Sequence, residues 1–274
     1  SEDGSVELKE FDEKAAEGIY RGTIRPARGG SSPRKMISYQ AAPGAKVVVR
    51  GSQLLRMKWE PSEQMPGAWQ ARWPAGSFRQ YQPFHLVNFN EAQARLMSWI
   101  ELLKEKPATR LMRGLIFQDG QRMRQLLPEQ AGQAGPGDYW LGEGGDVLHL
   151  VPFNGVDPAQ AVFEFTTCES LFYPEKVGIG FIHVQGLTFE HAANGFPWPQ
   201  MGAFSTVRGH NWLIEDNTIR QVNSIGMDIG IQDWELHQPQ TTPGAHIVRR
   251  NTITDCGVGC LQAMEGRDDL IEDN

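Results

Sequence analysis

Three carboxyl side chains in the second half of this 274-residue chain stand where they could act as acids, bases or nucleophiles. Two carboxyl groups that face one groove cleave glycosidic bonds, at a separation of about 5 Å for retention of configuration and about 6.5–9.5 Å for inversion. Asp228 lies between apolar neighbours, so a strand there would carry its carboxyl on the outer face of a sheet. The candidates for such a pair are Asp228, Asp255 and Glu265.

Each candidate also has a simpler interpretation. Asp228 would then be a polar residue on a solvated face. Asp255 precedes Cys-Gly at a predicted corner, which favours corner hydrogen bonding over catalysis. Glu265 follows an apolar run and lines a groove only if that run is a strand.

Aromatic and hydrogen-bonding side chains occur in two loop-like segments close in sequence to these carboxyl groups. In the segment 194–200, a tryptophan stands between two prolines, which favours a rigid platform for a sugar ring. The segment 231–245 is predicted to be an insertion at the rim of a groove, and packing of both loops onto the protein is the alternative. The predicted substrate-binding residues are His191, Trp198, Gln200, Trp234 and His237.

Metal ligands are sparse in the sequence. The three cysteines form no Cys-x-x-Cys pair, so no zinc site is indicated. Asp233, Glu235 and His237 alternate, which would place oxygen and imidazole groups on one side of a strand, but such runs are usually only exposed. We predict no metal and no cofactor, with Ca²⁺ as the alternative.

The overall charge argues against two classes of partner. The formal net charge is −7, with acidic and basic residues interspersed, whereas a nucleic-acid-binding protein would need a basic stripe. No apolar run approaches the roughly 20 residues of a membrane-spanning helix. We therefore expect neither nucleic acid nor a membrane as the main partner.

The elements that must position these residues show a repeat. Three short aliphatic strands each end in charged residues followed by asparagine, at positions 217, 251 and 274, spaced 34 and 23 residues apart. Such a period predicts a solenoid, here an all-β, right-handed parallel β-helix, with a β-sandwich as the alternative. Each Asn is predicted to take the left-handed conformation and to bond to the Asn of the next coil. The charged residues before them are predicted to be solvated: Glu215, Asp216, Glu272 and Asp273.

Domain organisation follows from the change of pattern along the chain. Residues 1–53 are predicted to form the first β-helix coils, 54–160 an inserted antiparallel β-rich domain, and 161–274 further coils that continue past the end of the chain. A helix is predicted at 90–105 from its apolar spacing. Two hairpins are predicted in the insertion, one around Asp119-Gly120 and one joining 139–141 to 146–150.

The opening at 18–52 is similar to that of pectate-lyase-like right-handed β-helix proteins. More specific stretches resemble glycoside hydrolase family 120, a family of β-xylosidases built as a β-helix interrupted by a β-rich domain. These stretches are Ser77–Phe84, Phe172-Tyr173-Pro174, Gly178-Ile179, Phe181–Gly186, His191-Ala192-Ala193, Trp212–Asn217 and His246–Gly257.

The resemblance implies hydrolysis of xylo-oligosaccharides or a related glycan by a two-carboxylate mechanism. In that family the catalytic Asp and Glu follow the coil that matches 246–257, and no such motifs occur before residue 274. We therefore expect the chain to be an N-terminal portion whose catalytic carboxylates lie beyond residue 274, completed by a C-terminal fragment or a second chain. A homo-oligomer is a further expectation.

Two other functions remain open on the same scaffold. A polysaccharide lyase or epimerase acting on uronate polymers would need a Lys or Arg base, and no Lys follows position 176. A non-catalytic carbohydrate-binding β-helix is the third possibility, since one fold hosts many functions.

Overall fold

The chain folds as an all-β protein in a computed structural model that describes residues 15–63, 65–79, 81–89, 107–195, 201–231 and 243–274. The predicted helix at 90–105 lies outside the described residues. The described α-helix, α1, spans Pro107–Arg110, and short 3-10 helices span Pro83–His85, Pro128–Gln133, Glu143–Gly145, Phe153–Gly155 and Pro158–Gln160. None of the described helices is long and apolar enough to cross a membrane.

The strands are short, mostly of two to five residues. In chain order they are β1 Gly18–Arg21, β2 Ile37–Gln40, β3 Val47–Arg50, β4 Ser52–Leu54, β5 Glu60–Pro61, β6 Trp69–Arg72, β7 Ile116–Gln118, β8 Gln121–Arg122, β9 Arg124–Gln125, β10 Asp138–Leu141, β11 Val147–Leu150, β12 Phe163–Thr166, β13 Ile182–Gln185, β14 Leu187–Glu190, β15 Phe204–Ser205, β16 Leu213–Glu215, β17 Thr218–Val222, β18 Ile225–Asp228, β19 Ile247–Arg249, β20 Thr252–Cys256, β21 Gly259–Gln262 and β22 Leu270–Glu272.

Strands of the first compact unit, formed by the described parts of Ser1–Gly51 and Cys168–Asn274, pair in parallel in three sheets. The first sheet has the order β1-β3-β14-β17-β20, the second β2-β13-β16-β19-β22 and the third β15-β18-β21. Consecutive strands fall in different sheets, and each sheet grows in chain order. The all-β class is therefore confirmed, while the right-handed β-helix stays a prediction.

The core of this unit consists of the side chains that alternate inward along these strands. In the first sheet, Val49, Phe189 and Ile219 occupy one register position and are all buried. Aromatic rings fill the centre: Phe204 stacks on Phe172 with ring centroids 4.8 Å apart and meets Trp212 edge-on at 6.1 Å. Burial of these large apolar surfaces supplies the main stabilisation of the unit.

A ladder of three asparagine side chains joins successive stretches of chain, as the repeat predicts. The side-chain oxygen of Asn251 accepts bonds from the backbone N–H and the amide of Asn217 at 3.1 and 3.0 Å. The oxygen of Asn274 accepts the equivalent bonds from Asn251 at 3.0 and 2.8 Å. Each amide also donates to a strand carbonyl of the preceding stretch, such as Asn251 to Ile214 at 3.0 Å. The predicted ladder is confirmed.

One detail of that prediction was wrong. The left-handed conformation belongs to the residue before each asparagine: Asp216, Arg250 and Asp273 have φ of 58°, 53° and 54°. The chain turns its corner at this residue, so the following Asn points inward and can bond along the stack.

The second compact unit, Ser52–Thr167, contains two sheets of order β5-β6-β11-β10-β9 and β4-β12-β7-β8. Both predicted hairpins are confirmed by antiparallel pairing of β7 with β8 and of β10 with β11. At the first turn, Asp119 and Gly120 have φ of 51° and 80°, as a two-residue hairpin loop requires. Its own apolar core includes Phe84, Phe165 and Tyr139. The predicted boundaries at 53/54 and 160/161 stay predictions.

His246 is a fully buried imidazole in the first unit. Its Nδ1 accepts the backbone N–H of Trp212 at 3.2 Å, so the ring is held neutral with its proton on Nε2. Burial lowers the pKa of His246 to about 4. Protonation of this residue is therefore coupled to unfolding.

Replacement of Asn251 by alanine tests the ladder. It leaves the buried N–H of Asn217 without its acceptor, and we expect the free energy of unfolding in urea to fall by about 2–4 kcal/mol. The matched control is Thr254→Ala on strand β20, which begins directly after Asn251; its side chain is exposed and the change should stay within about 0.5 kcal/mol. An Asn251→Ala variant as stable as the control would contradict a stabilising ladder.

Acidification tests the buried imidazole. The ordinary pKa of 6.5 applies to the unfolded chain and a pKa of about 4 to the folded one, so the unfolded state binds the extra proton between these values. Stability should fall as the pH drops from 6.5 towards 4, by at most about 1.4 kcal/mol per pH unit from this group. His246→Asn keeps an acceptor for Trp212, and urea unfolding of this variant should show a shallower decline between pH 6.5 and 5. Parallel declines in the two proteins would refute the assignment.

Candidate functional site

The third sheet carries a row of polar side chains on the face opposite the core. Its inward row runs through Ile24, Phe172, Phe204 and Met227, which are paired in parallel register. Because side chains alternate along a strand, the residue after each of these points to the other face. We call this outward row the polar column; its members are Arg25, Tyr173, Ser205, Asp228 and Gln262.

Asp228 is fully buried within the polar column. Its Oδ2 accepts a hydrogen bond from the Ser205 hydroxyl at 3.1 Å, and its Oδ1 accepts the backbone N–H of Gly230 at 3.2 Å. The Ser205 hydroxyl in turn accepts the N–H of Val207 at 3.2 Å. Asp228 therefore lies on the outer face of its strand, but one donor from the neighbouring stretch and one from its own stretch hold its carboxyl, and it is not a freely solvated group.

Tyr173 is the half-buried member of the column. Burial raises the pKa of its phenol, Arg25 lowers it, and the carboxyl groups of Glu169 and Asp228 raise it further, with a net upward shift. The guanidinium carbon of Arg25 lies 5.9 Å from the ring centroid. At neutral pH the phenol thus keeps its proton and can donate a hydrogen bond, with two carboxyl groups and one guanidinium near it.

Strained backbone follows directly after Ser205. Val207 and Arg208 have φ of 48° and 57°, and the N–H of Gly209 closes the turn on the carbonyl of Thr206 at 3.0 Å. A β-branched residue with positive φ is an outlier, and each such residue costs roughly 1–3 kcal/mol. Strain of this kind concentrates at functional sites, and here it adjoins the hydroxyl that holds Asp228.

The predicted sugar ligand His191 and the predicted acid Asp255 fall in another row, at a corner after the first sheet. His191, Gln221 and Asp255 follow strand residues that are in register, and all have positive φ, of 66°, 55° and 53°. His191 is buried, with Nε2 3.1 Å from the Gln221 amide oxygen, whereas Asp255 is exposed. Glu265 is exposed at a turn after β21, with φ of 55°.

The remaining predicted ligands cannot be placed. Trp198, Gln200, Trp234 and His237 lie outside the described residues, as do Asp233 and Glu235. Within the described ranges, no group of three or more His, Cys, Asp or Glu side chains is arranged to hold a metal ion. The Ca²⁺ alternative has no described ligand set and stays untested.

Two further buried carboxylates, Glu190 and Glu215, accept hydrogen bonds from arginine side chains. Glu190 accepts from Arg50 at 2.6 Å and from Arg220 at 2.9 Å. Burial alone would raise the pKa of Glu190, but bonds and charges from Arg220, His191 and Arg50 hold it below its ordinary value. This carboxylate therefore fixes the register of three strands and is a poor general acid.

Glu215 corrects a prediction, because it is buried and is not a solvated turn residue. Its oxygens accept from His183 at 3.0 Å and from Arg249 and Arg250 at 2.8 Å each. Burial alone would raise the pKa of Glu215. The hydrogen bonds from Arg249, Arg250 and His183 outweigh this effect and hold the pKa below its ordinary value. The aliphatic parts of the Arg249 and Arg250 side chains, from the next repeat, cover Glu215 and shield this charged residue from solvent.

Sequence reasoning missed most of the polar column. Of its members, Ser205 carries no motif, and Arg25 and Tyr173 occur only within the stretches that carry the family resemblance. Glu169, which lies outside the column, carries no motif either. The spacing between successive members ranges from 23 to 148 residues. The usable signal was the polar residue that directly follows a large inward apolar one, in Phe172-Tyr173, Phe204-Ser205 and Met227-Asp228.

Comparison with known proteins supports the fold. No family model matches the chain, and no match was found among curated proteins. A solved structure described as "The complex structure of XylC with xylose" is 23% identical over 94% of this chain, with a TM-score of 0.77. A second, described as "Glycoside hydrolase", is 10% identical over 88% of this chain, with a TM-score of 0.50. This chain spans 47% of the first protein's length and 65% of the second's.

Replacement of Asp228 tests how the column is held. Asp228→Ala removes the carboxylate that accepts from the Ser205 hydroxyl and from the Gly230 N–H, and we expect a loss of about 2–4 kcal/mol in the free energy of unfolding. Asp228→Asn retains an amide oxygen and should lose about 1 kcal/mol. Asp255→Asn, at an exposed left-handed position that asparagine tolerates, is the control and should stay within about 0.5 kcal/mol. Equal stability of Asp228→Ala and wild type in urea unfolding would show that the carboxyl is not held as described.

Proposed function

We propose that the chain is part of a carbohydrate-active enzyme, a glycoside hydrolase that acts on xylo-oligosaccharides or a related glycan. The single observation that carries this proposal is the shared fold with the xylose-complexed XylC over 94% of the chain. We further propose that the three parallel sheets form a right-handed parallel β-helix of the pectate-lyase-like kind, interrupted by the β-rich insertion. The resemblance of residues such as 246–257 to glycoside hydrolase family 120 supports the same assignment.

The polar column is the part of the described surface best suited to a sugar. Tyr173 offers a protonated phenol and a half-exposed ring edge, and Glu169 offers a half-buried carboxyl. Hydroxyl groups of a pyranose need this mixture of donors and acceptors beside an aromatic surface. We propose that Tyr173 and Glu169 contact the sugar, while Ser205 and the strained turn after it hold Asp228 in place.

The catalytic assignment is a separate proposal. A two-carboxylate mechanism needs a pair of carboxyl groups on opposite sides of the scissile bond. We propose Glu169 and Asp228 as this pair, since the carboxyl groups of both raise the pKa of the Tyr173 phenol. Asp255 and Glu265 remain weaker candidates because they are exposed.

The other predicted contacts are retained as proposals. They are the sugar-binding roles of His191, Trp198, Gln200, Trp234 and His237, and the absence of a cofactor. This chain spans about half the length of XylC. The hydrolase activity is therefore proposed for a protein of XylC's full extent.

Xylobiose binding by isothermal titration calorimetry tests this function. We expect binding, with Tyr173→Phe weakening the affinity about three- to tenfold through loss of one hydrogen bond. Tyr20→Phe is the matched control, because the Tyr20 hydroxyl donates to the carbonyl of Ala16 at 3.0 Å, away from the column. This variant should bind as wild type does.

Activity assays separate the competing chemistries. Release of nitrophenol from a nitrophenyl xyloside supports the hydrolase. Ultraviolet-absorbing unsaturated products from a uronate polymer would support a lyase, and a chain that binds no xylobiose at all would contradict the proposal.

A further inference from the structure

Arg25 differs from the other arginines on the outer faces of the parallel sheets. Arg50 and Arg220 bind Glu190, and Arg249 and Arg250 bind Glu215, so four guanidinium groups are committed to buried carboxylates. The side chain of Arg25 is exposed and makes no hydrogen bond or ion pair with any residue in the described ranges. The N–H donors of its guanidinium can therefore bind a ligand.

The face of Tyr173 holds this guanidinium in place. The guanidinium carbon lies 5.9 Å from the ring centroid, within the range of a cation–π contact. A planar guanidinium resting on an aromatic ring loses less freedom when it binds a ligand, and its fork of donors matches a carboxylate in bidentate fashion. Arg25 is therefore prepared for a planar anion.

The stretch around Arg25 is basic, although the whole chain is acidic. Between Gly18 and Trp59 there are nine Lys and Arg and no Asp or Glu, whereas the chain has a net charge of −7. The exposed basic residues nearest to Arg25 in sequence are Arg28, Arg34 and Lys35. The Arg25 end of the polar column thus carries positive charge, whereas Asp228 follows Tyr173 and Ser205 in the register of the column. The carboxyl group of Glu169 raises the pKa of the Tyr173 phenol.

Resting on the proposed function, we infer that the site takes an acidic xylo-oligosaccharide, in which a uronic acid substituent binds Arg25 through its carboxylate. The neutral xylose units lie against Tyr173 and Glu169. The carboxylate of Glu169 would repel a second carboxylate at this position. The division of charge along the column fixes the orientation of the sugar. A fully neutral oligosaccharide leaves Arg25 unused, and a polyuronate places a carboxylate against Glu169.

Calorimetry with three sugars tests this inference on the full chain: xylotriose, glucuronic-acid-substituted xylotriose and trigalacturonate. We expect the substituted xylotriose to bind about tenfold more tightly than xylotriose, the effect of one charged hydrogen-bonded pair. Arg25→Gln should abolish this preference and leave the affinity for xylotriose within about twofold. Arg25→Lys keeps the charge without the fork and should retain part of the preference.

Lys46→Gln is the matched control, because Lys46 is an exposed cation of the same basic stretch that lies outside the polar column. It removes the same charge and should leave the preference unchanged. Unfolding midpoints of both variants confirm that the fold is retained.

The outcomes of these titrations distinguish a failure of the acidic-sugar inference from a failure of the proposed glycoside hydrolase function. Equal affinities of the two xylotrioses, or equal losses in Arg25→Gln and Lys46→Gln, overturn the acidic-sugar inference alone. Trigalacturonate binding as tightly as the substituted xylotriose would show recognition of charge only and also overturn it. Failure of both xylotrioses to bind contradicts the proposed function as well.

Discussion

The buried asparagine ladder is the interaction on which the first unit depends. Each amide bonds to a carbonyl of the strand behind it and to the asparagine of the next repeat, so every rung fixes the register of two stretches at once. The amides of Asn217 and Asn251 are buried, so a shift of register would leave their donors and acceptors unpaired in an apolar core. Parallel strands with such short lengths have few other ways to specify register.

Register has a direct consequence for the site. Residues 25, 173, 205 and 228 come from four separate stretches, and only stacking in register brings them into one row. The same stacking aligns Arg50, Glu190 and Arg220, and it covers Glu215 with the arginines of the next repeat. The outer faces therefore contain two kinds of polar group: carboxylates already neutralised by arginines, and a column in which Arg25 is exposed and Tyr173 and Gln262 are half-buried. Only the second kind has groups to offer a ligand.

The repeat made the fold class and the ladder predictable from the sequence. An aliphatic strand followed by charged residues and Asn has one physical interpretation once it recurs, and the Asp119-Gly120 hairpin followed from turn chemistry. The left-handed residue was displaced by one position, because both Asp and Asn tolerate that conformation and the sequence alone does not say which one turns the corner. Glu215 was misjudged because its burial depends on arginines 34 and 35 residues later.

The site was less predictable than the fold. Asp228 was identified from its alternation with apolar neighbours, but its partners Ser205 and Tyr173 become neighbours only through the unequal lengths of the intervening loops. No local pattern encodes those lengths. The special role of Arg25 is also invisible in sequence, since it rests on the contrast with arginines that are already paired.

A crystal structure of the chain with bound xylotriose tests the central claim most directly. The account predicts a pyranose ring against Tyr173, with a ring hydroxyl within hydrogen-bonding distance of the phenol and with Ser205 still bonded to Asp228. A sugar bound on a different sheet face, or an Asp228 carboxyl turned away from Ser205, would contradict it.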